Sequence, residues 1–226
     1  MNWRTHPKRM ISLAAMAVGL GACAGQGSGP AAEGGGDPPP APSNTALQRI
    51  RGEVVAGKDG YGLTSCRGDR QRIVALSAQA KDFIDRFQAP VGKPEFFLDA
   101  WAREQGGKME VVAIERAHTE GPRCDAAPEQ AQFVASGTEP FWSLRVSPTG
   151  WLLERPDSPP LQAMAAVEKI GSGYAWASAS PKAKVELTPG YCADGMADAA
   201  SAWQAGIELG GVRLTGCAHR GELPLP

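Results

Sequence analysis

The chain has 226 residues, of which 23 are Lys or Arg, 24 are Asp or Glu, and 42% are hydrophobic. Residues 1–22 carry three basic residues and no acidic one, so removing them leaves 20 basic against 24 acidic residues, a net charge of about −4. This balance lacks the basic excess typical of nucleic-acid-binding proteins, and we expect no nucleic-acid partner.

The first 22 residues have the pattern of a secretory signal peptide. Basic residues at positions 4, 8 and 9 precede the apolar run Met10–Leu20, which is shorter than the roughly 20 residues of a permanent membrane span. The segment Leu20-Gly21-Ala22-Cys23 resembles the bacterial lipobox, which implies cleavage before Cys23 and acylation of its thiol and its new amino group. Two or more acyl chains anchor a protein stably. A plain signal peptide with an incidental cysteine is the alternative.

Residues 23–44 are predicted to form a disordered tether between the anchor and the folded part. Six glycines and five prolines occur among residues 24–44, and almost no side chain there can be buried. Ala24, rather than Asp, follows Cys23, and by resemblance to the known sorting pattern this implies the outer membrane, with the protein facing the periplasm.

Residues 45–128 are predicted to form a small β-barrel with one helix. Strand patterns occupy residues 47–57, 61–66, 70–76, 95–101 and 108–117. Ser77 is a plausible N-cap for a helix that Pro90 and Gly92 should end. The apolar stripe of this helix consists of Ala80, Phe83, Ile84 and Phe87. Together with "TSC" and the final Cys124, this order resembles the OB-like domain of NlpE-type envelope lipoproteins over residues 46–125.

Residues 129–226 are predicted to form an antiparallel barrel or small sandwich of seven short strands. In "FWSLRV", Trp142, Leu144 and Val146 alternate with polar residues, the pattern of a half-buried strand. Gly210-Gly211 separates two strand patterns and predicts a two-residue hairpin. The fold class expected for the whole chain is therefore mainly β, with two small barrel-like domains.

Three short motifs distinguish the second half. They are G-x-E-P-F-W at residues 137–142, C-x-D-G-M at residues 192–196, and Gly216-Cys217. Their spacing resembles a domain of bacterial envelope lipoproteins, and the resemblance covers residues 133–219. The chain departs from that pattern at Ala197 and Ala199-Ala200. The resemblance implies a fold and supplies no reaction.

The cysteine count predicts two disulfides. If Cys23 is acylated, four cysteines remain, Cys66, Cys124, Cys192 and Cys217, and an exported protein usually pairs them. Three pairings are open, and we favour Cys66–Cys124 and Cys192–Cys217. A metal site, for copper or another metal, that uses Cys66, Cys124 and His118 is the alternative. The chain has no C-x-x-C pair, so we predict no metal and no other cofactor.

Glu139, Trp142, Asp194 and Asp198 are the candidate binding residues. Two convergent carboxylates, Glu139 with Asp194 or Asp198, would suit a hydrolase if one had a raised pKa, yet Asp-Gly and Glu-Pro are also common in turns. Trp142 is either a binding residue or part of the core. We expect no catalytic residue and a non-enzymatic binding or sensing module. Its candidate partners are another envelope protein, peptidoglycan or an attacking lysozyme.

Overall fold

The computed structural model of the protein describes residues 46–58, 60–68, 70–193, 195 and 198–225. Fourteen strands and one helix form in these residues, and the predicted mainly-β class is confirmed. The predicted signal peptide and tether, including Cys23, and the candidate residue Asp194 lie outside the described part. In that part no helix has both the length and the apolar character needed to cross a membrane.

The first five strands close into a barrel. They are β1 (Gln48–Gly57), β2 (Gly60–Ser65), β3 (Arg72–Leu76), β4 (Glu95–Gln105) and β5 (Lys108–His118). Their order around the barrel is β1-β2-β3-β5-β4 and back to β1, with β3 parallel to β5 and the other pairs antiparallel. Five strands in this order, with a helix between the third and the fourth, form the predicted OB-like barrel.

The helix α1 (Ala78–Val91) begins where the sequence predicts. The Ser77 hydroxyl accepts a hydrogen bond from the Ala80 backbone N–H at 3.2 Å, which satisfies one of the free donors of the first turn. Gly92 ends the helix in a left-handed conformation with φ of 64°. Pro90 lies inside the last turn, so the prediction that it stops the helix is wrong. The predicted apolar stripe is buried in the barrel core.

The second half contains nine strands, two more than predicted. They are β6 (Phe133–Thr138), β7 (Phe141–Ser147), β8 (Gly150–Arg155), β9 (Ser158–Met164), β10 (Val167–Ile170), β11 (Gly173–Ala179), β12 (Lys182–Cys192), β13 (Ala199–Leu209) and β14 (Val212–Arg220). Neighbours along the chain pair antiparallel from β6 to β9 and from β10 to β14, and β14 pairs with β6. Two prolines in β9 and the shortness of β10 weaken the strand pattern of both.

These strands curl around one hydrophobic core. Trp142, Leu144 and Val146 are fully buried, as their alternation predicts. The hairpin between β13 and β14 is also confirmed, because Gly210 and Gly211 both have positive φ and Leu209 pairs with Val212. Among the described pairings none joins β9 to β10, so these nine strands form an antiparallel sheet whose edges are β9 and β10.

Hydrogen bonds join the two sets of strands. Ala199, Ala200 and Ser201 at the start of β13 pair with the end of β5, and Ala200 contributes to the core of the five-stranded barrel. The domain boundary predicted at residue 128 falls in the segment between β5 and β6. The two hydrophobic cores are therefore distinct, while the strands around them form one hydrogen-bonded network.

The disulfides have the favoured pairing. Cys66 bonds to Cys124 and Cys192 bonds to Cys217, with sequence separations of 58 and 25 residues. The first bond ties the segment after β5 to the end of β2, and the second ties the end of β12 to β14. Each disulfide therefore joins parts of a single half of the chain.

Candidate functional site

A polar groove lies on the outer face of β12, β13, β14 and β6. Its volume is about 620 Å³, within the range of small-molecule sites. We name it the threonine groove, after Thr138, Thr188 and Thr215, which line it together with Glu139, Glu186, Gln204, Gly206, Arg213 and the Cys192–Cys217 disulfide. Residues of β13 alternate between core and surface, so the buried Trp203 and Ile207 face inward while Gln204 and Gly206 face the groove.

Two rows of cross-strand partners build the floor of the groove. Glu186, Gly206 and Thr215 lie side by side in one row. Thr188, Gln204 and Cys217 form the other. Because Gly206 has no side chain, the Arg213 guanidinium lies over it, and a Cβ at this position would be 3.2 Å from Arg213 Nη2.

All three sequence motifs contribute to this groove. Gly137, Thr138 and Glu139 come from the first motif, Cys192 and Gly195 from the second, and Gly216-Cys217 is the third. The segments lie far apart in the chain and meet through the pairing of β14 with β6 and the disulfide. The pairing of strands distant in the chain therefore assembles one surface from the three motifs.

The three candidate binding residues that the structure describes, Glu139, Trp142 and Asp198, do not converge. Glu139 is exposed and lines the groove. Trp142 is fully buried, so it belongs to the core and offers no surface to a ligand. Asp198 lies outside the groove lining and accepts hydrogen bonds from the Lys93 ammonium at 2.8 Å and the Thr119 hydroxyl at 3.2 Å. The Lys93 hydrogen bond lowers the pKa of the Asp198 carboxyl, which favours its charged form.

Phe141 is a surface residue of the first motif that the sequence interpretation missed. Its side chain is 57% exposed, and it pairs with the groove residue Thr138 across β6 and β7. The alternation around Trp142 was the available signal, because a strand that buries Trp142 turns Phe141 outward. An exposed aromatic ring beside a polar groove is a common feature of binding surfaces.

Two charged groups of the groove lining, Glu186 and Arg213, are held in ion pairs with neighbours, whereas Glu139 makes no ion pair with the described residues. Lys184 contacts Glu186 at 2.7 Å, and Arg213 contacts Glu208 at 3.2 Å. The Glu186 carboxylate raises the pKa of Lys184. Apart from Glu139, the remaining polar side chains of the described lining are the threonine hydroxyls and the Gln204 amide, so the groove offers neutral hydrogen-bonding groups beside these charged ones.

The hypothesis of a copper or other metal site does not fit the geometry. It requires free thiolates at Cys66 and Cys124, and these two cysteines are bonded to each other. The described residues contain no group of three or more His, Cys, Asp or Glu side chains arranged to hold a metal ion.

A buried polar junction between the two cores is the second feature that the sequence interpretation missed. Asp99 is 2% exposed and accepts two hydrogen bonds from the Arg49 guanidinium, from Nε at 2.8 Å and from Nη2 at 2.7 Å. Glu115, 1% exposed, accepts from Trp101 Nε1 at 2.8 Å and from Arg220 Nε at 2.6 Å. Arg49 also donates to the backbone carbonyls of Arg220, the last residue of β14, and of Gly221. These bonds fix the end of β14 against β1, β4 and β5.

Comparison with known proteins gave no match. No protein-family model, curated protein or solved structure matches the chain. The resemblances to envelope lipoproteins therefore depend on the sequence motifs alone.

Proposed function

We propose that the protein is a lipid-anchored, non-enzymatic binding module of the bacterial cell envelope. The lipobox-like segment that ends at Cys23 supports the anchor, and the Gly/Pro-rich residues 24–44 suit a flexible tether. In this proposal the protein is attached to the outer membrane and its folded part faces the periplasm. The two disulfides are consistent with an oxidising compartment.

The observation that carries the binding proposal is the convergence of three motif segments around the threonine groove. The groove combines hydroxyl and amide groups with the Arg213 guanidinium, which lies over Gly206, and it has the exposed ring of Phe141 at its border. Neutral donors and acceptors are suited to the hydroxyl and acetamido groups of sugars. We therefore propose the glycan of peptidoglycan as the ligand, with a partner protein such as lysozyme as the second candidate.

Binding suits this site better than hydrolysis. A hydrolase with two carboxylates needs one proton-donating and one ionised group close to the same bond. Glu139 lines the groove, but Asp198 does not, and Lys93 keeps Asp198 in its charged form. Glu186, the other carboxylate of the described lining, is paired with Lys184, and Asp194 lies outside the described residues.

The ligand can be tested by sedimentation with purified peptidoglycan sacculi. The full chain is exported to the periplasm so that its disulfides form, and the bound fraction is measured against sacculus concentration. Gly206→Leu should displace the Arg213 guanidinium that lies over Gly206, fill this part of the groove and weaken sedimentation by about tenfold or more. Ala177→Leu, at an exposed position of β11 outside the groove lining, is the matched control and should sediment like the unchanged protein.

Each outcome decides between occupants of the groove. Sedimentation that is lost in Gly206→Leu and kept in Ala177→Leu supports peptidoglycan. If the unchanged protein does not sediment, the glycan proposal fails. Lysozyme inhibition by the unchanged protein, absent in Gly206→Leu, would then identify the protein partner.

The anchor requires a separate test. Mass spectrometry of the N-terminal peptide should find Cys23 as the first residue, carrying diacylglycerol and an amide-linked acyl chain. Cys23→Ser should release the protein from the membrane fraction. An N-terminus at another residue, or an unmodified Cys23, would contradict lipidation.

A further inference from the structure

The end of the five-stranded barrel where β1 begins holds a cavity of about 790 Å³. It lies where β1 and β3 begin, where β2 ends, and at the turn from β4 to β5. We name it the arginine cavity, because its lining includes Arg49, Arg51, Arg67, Arg70 and Arg72. It is separate from the threonine groove, which shares no lining residue with it.

The described lining of this cavity has an excess of positive charge. Glu104 and Glu222 are its two described carboxylates against five guanidinium groups. Arg72 contacts Glu104 at 2.6 Å, and Arg49 lies 3.5 Å from Glu222. Arg67 and Arg70 are exposed, and neither makes an ion pair within 4.0 Å with any other described residue. The cavity is therefore a local basic site within a chain that is acidic overall.

The inner wall of the cavity also carries more arginine than its buried carboxylate can satisfy. Asp99 gives both of its oxygens to Arg49. Arg51 lies 3.7 Å from the same carboxylate, beyond hydrogen-bond distance, and its buried Nε has no hydrogen-bond partner among the described residues. Asp99 therefore leaves the Arg51 guanidinium, whose side chain is 18% exposed, without a hydrogen-bonded carboxylate, and an anion in the cavity can supply the missing negative charge.

We propose that the arginine cavity binds a phosphate-bearing anion, held by Arg51, Arg67 and Arg70. The planar guanidinium fork matches the oxygens of a phosphate and can bind it through two parallel hydrogen bonds. The cavity volume is much larger than one phosphate group, so it can hold the organic part of the ligand as well.

The position of the chain entry suggests where such a ligand could come from. Gln48, the first residue of β1, lines the cavity, so the chain that leads back to Cys23 enters the fold at its rim. If Cys23 is the lipid anchor, as proposed above, an anionic lipid headgroup is a nearby source of phosphate. A soluble phosphorylated compound has the same recognition chemistry, and the experiment below separates the two.

The test is calorimetric titration of the full chain, exported with its disulfides and purified in dodecyl maltoside. The two probes are inorganic pyrophosphate and dihexanoyl phosphatidylglycerol, and the heat of adding each probe to detergent alone is subtracted. Arg67→Gln and Arg70→Gln change exposed side chains and should each weaken binding by about tenfold or more. Arg145→Gln, an exposed arginine of β7 outside both sites, is the matched control.

Saturable binding of either probe that is weakened by the two cavity variants and unchanged in Arg145→Gln supports the proposal. Tighter binding of phosphatidylglycerol identifies a lipid headgroup, and tighter binding of pyrophosphate identifies a soluble phosphate compound. Absence of saturable binding of both probes, or equal binding by the Arg67→Gln/Arg70→Gln double variant, overturns the proposal. Sacculus sedimentation uses the threonine groove, so failure of one proposal leaves the other standing.

Discussion

Gly137 and Trp142 are cross-strand partners on β6 and β7, and the indole of Trp142 fills the space that the glycine leaves. A Cβ on Gly137 would lie 2.4 Å from the indole nitrogen and 2.4 Å from the Thr215 carbonyl oxygen. On β14, a Cβ on Gly216 would lie 2.8 Å from the same ring. Two of the three motifs thus supply glycines to the same tryptophan, and this packing holds β6, β7 and β14 together beneath the threonine groove.

The substitution Gly137→Ala should therefore destabilise the protein. The added methyl group would collide with the indole and with backbone, and overpacking of this kind typically costs about 1–3 kcal/mol. Urea unfolding measures the change, with Ser136→Ala at the neighbouring exposed position as the control. Gly137→Ala should cost less stability in a Trp142→Phe background than in the unchanged protein, because the smaller phenyl ring leaves more room for the added methyl group. A Gly137→Ala protein as stable as Ser136→Ala would contradict this account of the motif.

Phe141 should contribute to binding and little to folding. Its ring is 57% exposed beside Thr138, so Phe141→Ala should change the free energy of unfolding by less than about 1 kcal/mol. Binding to sacculi should weaken by about tenfold if the ring packs on the ligand. Met164→Ala, which trims a 78% exposed side chain on β9, is the matched control for both measurements. Equal binding by the two variants would remove Phe141 from the site.

Replacement of Asp99 should lower the free energy of unfolding more than replacement of most other polar residues. Asp99→Asn removes the charge that Arg49 and Arg51 share in a buried setting, and leaving one partner of a buried pair uncompensated costs about 3–5 kcal/mol. Glu104→Gln breaks the Arg72 pair, whose two side chains are more than 40% exposed, and should cost less than about 1 kcal/mol. The urea concentrations at the unfolding midpoints of Asp99→Asn and Glu104→Gln measure this difference. A smaller loss for Asp99→Asn than for Glu104→Gln would show that the junction contributes little to stability.

Elements governed by local chemistry could be predicted from the sequence. Ser77 begins the helix and Gly210-Gly211 forms the hairpin, because capping and positive φ depend on residues close together in the chain. The inward face of "FWSLRV" follows from alternation alone. The disulfide pairing was also predictable, since one bond within each half is consistent with the favoured division of the chain.

Features that depend on contacts between distant residues could not be predicted in the same way. The threonine groove exists because β14 pairs with β6 and β12 pairs with β13, which no local pattern indicates. Asp99 lies in the apolar segment "EFFLDAW", and only its partner on β1, Arg49, reveals why a carboxylate is buried there. The arginine cavity could not be predicted for a related reason. The net charge of a sequence does not show where its charges lie, and only the fold of the barrel places these arginines at one end.

The two disulfides should differ in their contribution to stability. In the chain-entropy model, a closed loop of 58 residues contributes about 4.2 kcal/mol and one of 25 residues about 3.5 kcal/mol. Urea unfolding of two double variants separates these contributions. The variants are Cys66→Ser/Cys124→Ser and Cys192→Ser/Cys217→Ser. The second pair should also weaken sacculus binding, because its disulfide lines the threonine groove. A pair whose removal leaves the unfolding midpoint unchanged would contradict the expected stabilisation.

The protein should lose stability as the pH falls from about 6.5 to 4. Burial, with Arg116 as the next largest cause, lowers the pKa of His118 to about 4, and burial also lowers the pKa of His219 well below its ordinary value. The unfolded chain binds a proton at each histidine below about pH 6.5, whereas in the folded state His219 stays neutral and His118 takes up its proton only near pH 4. Protonation therefore favours unfolding across this window, and the loss from His118 alone is on the order of 3 kcal/mol at pH 4.

Replacement of His118 separates its titration from that of other groups. His118→Phe should make the decline in stability between pH 6.5 and 4 shallower, because the new side chain takes up no proton and can pack against Phe97, whose ring centre lies 4.9 Å from that of His118. Urea unfolding midpoints at half-unit pH steps measure how steeply stability falls with pH. The decline that remains in His118→Phe includes the contribution of His219. An unchanged slope in His118→Phe would mean that another group controls the acid sensitivity of the fold.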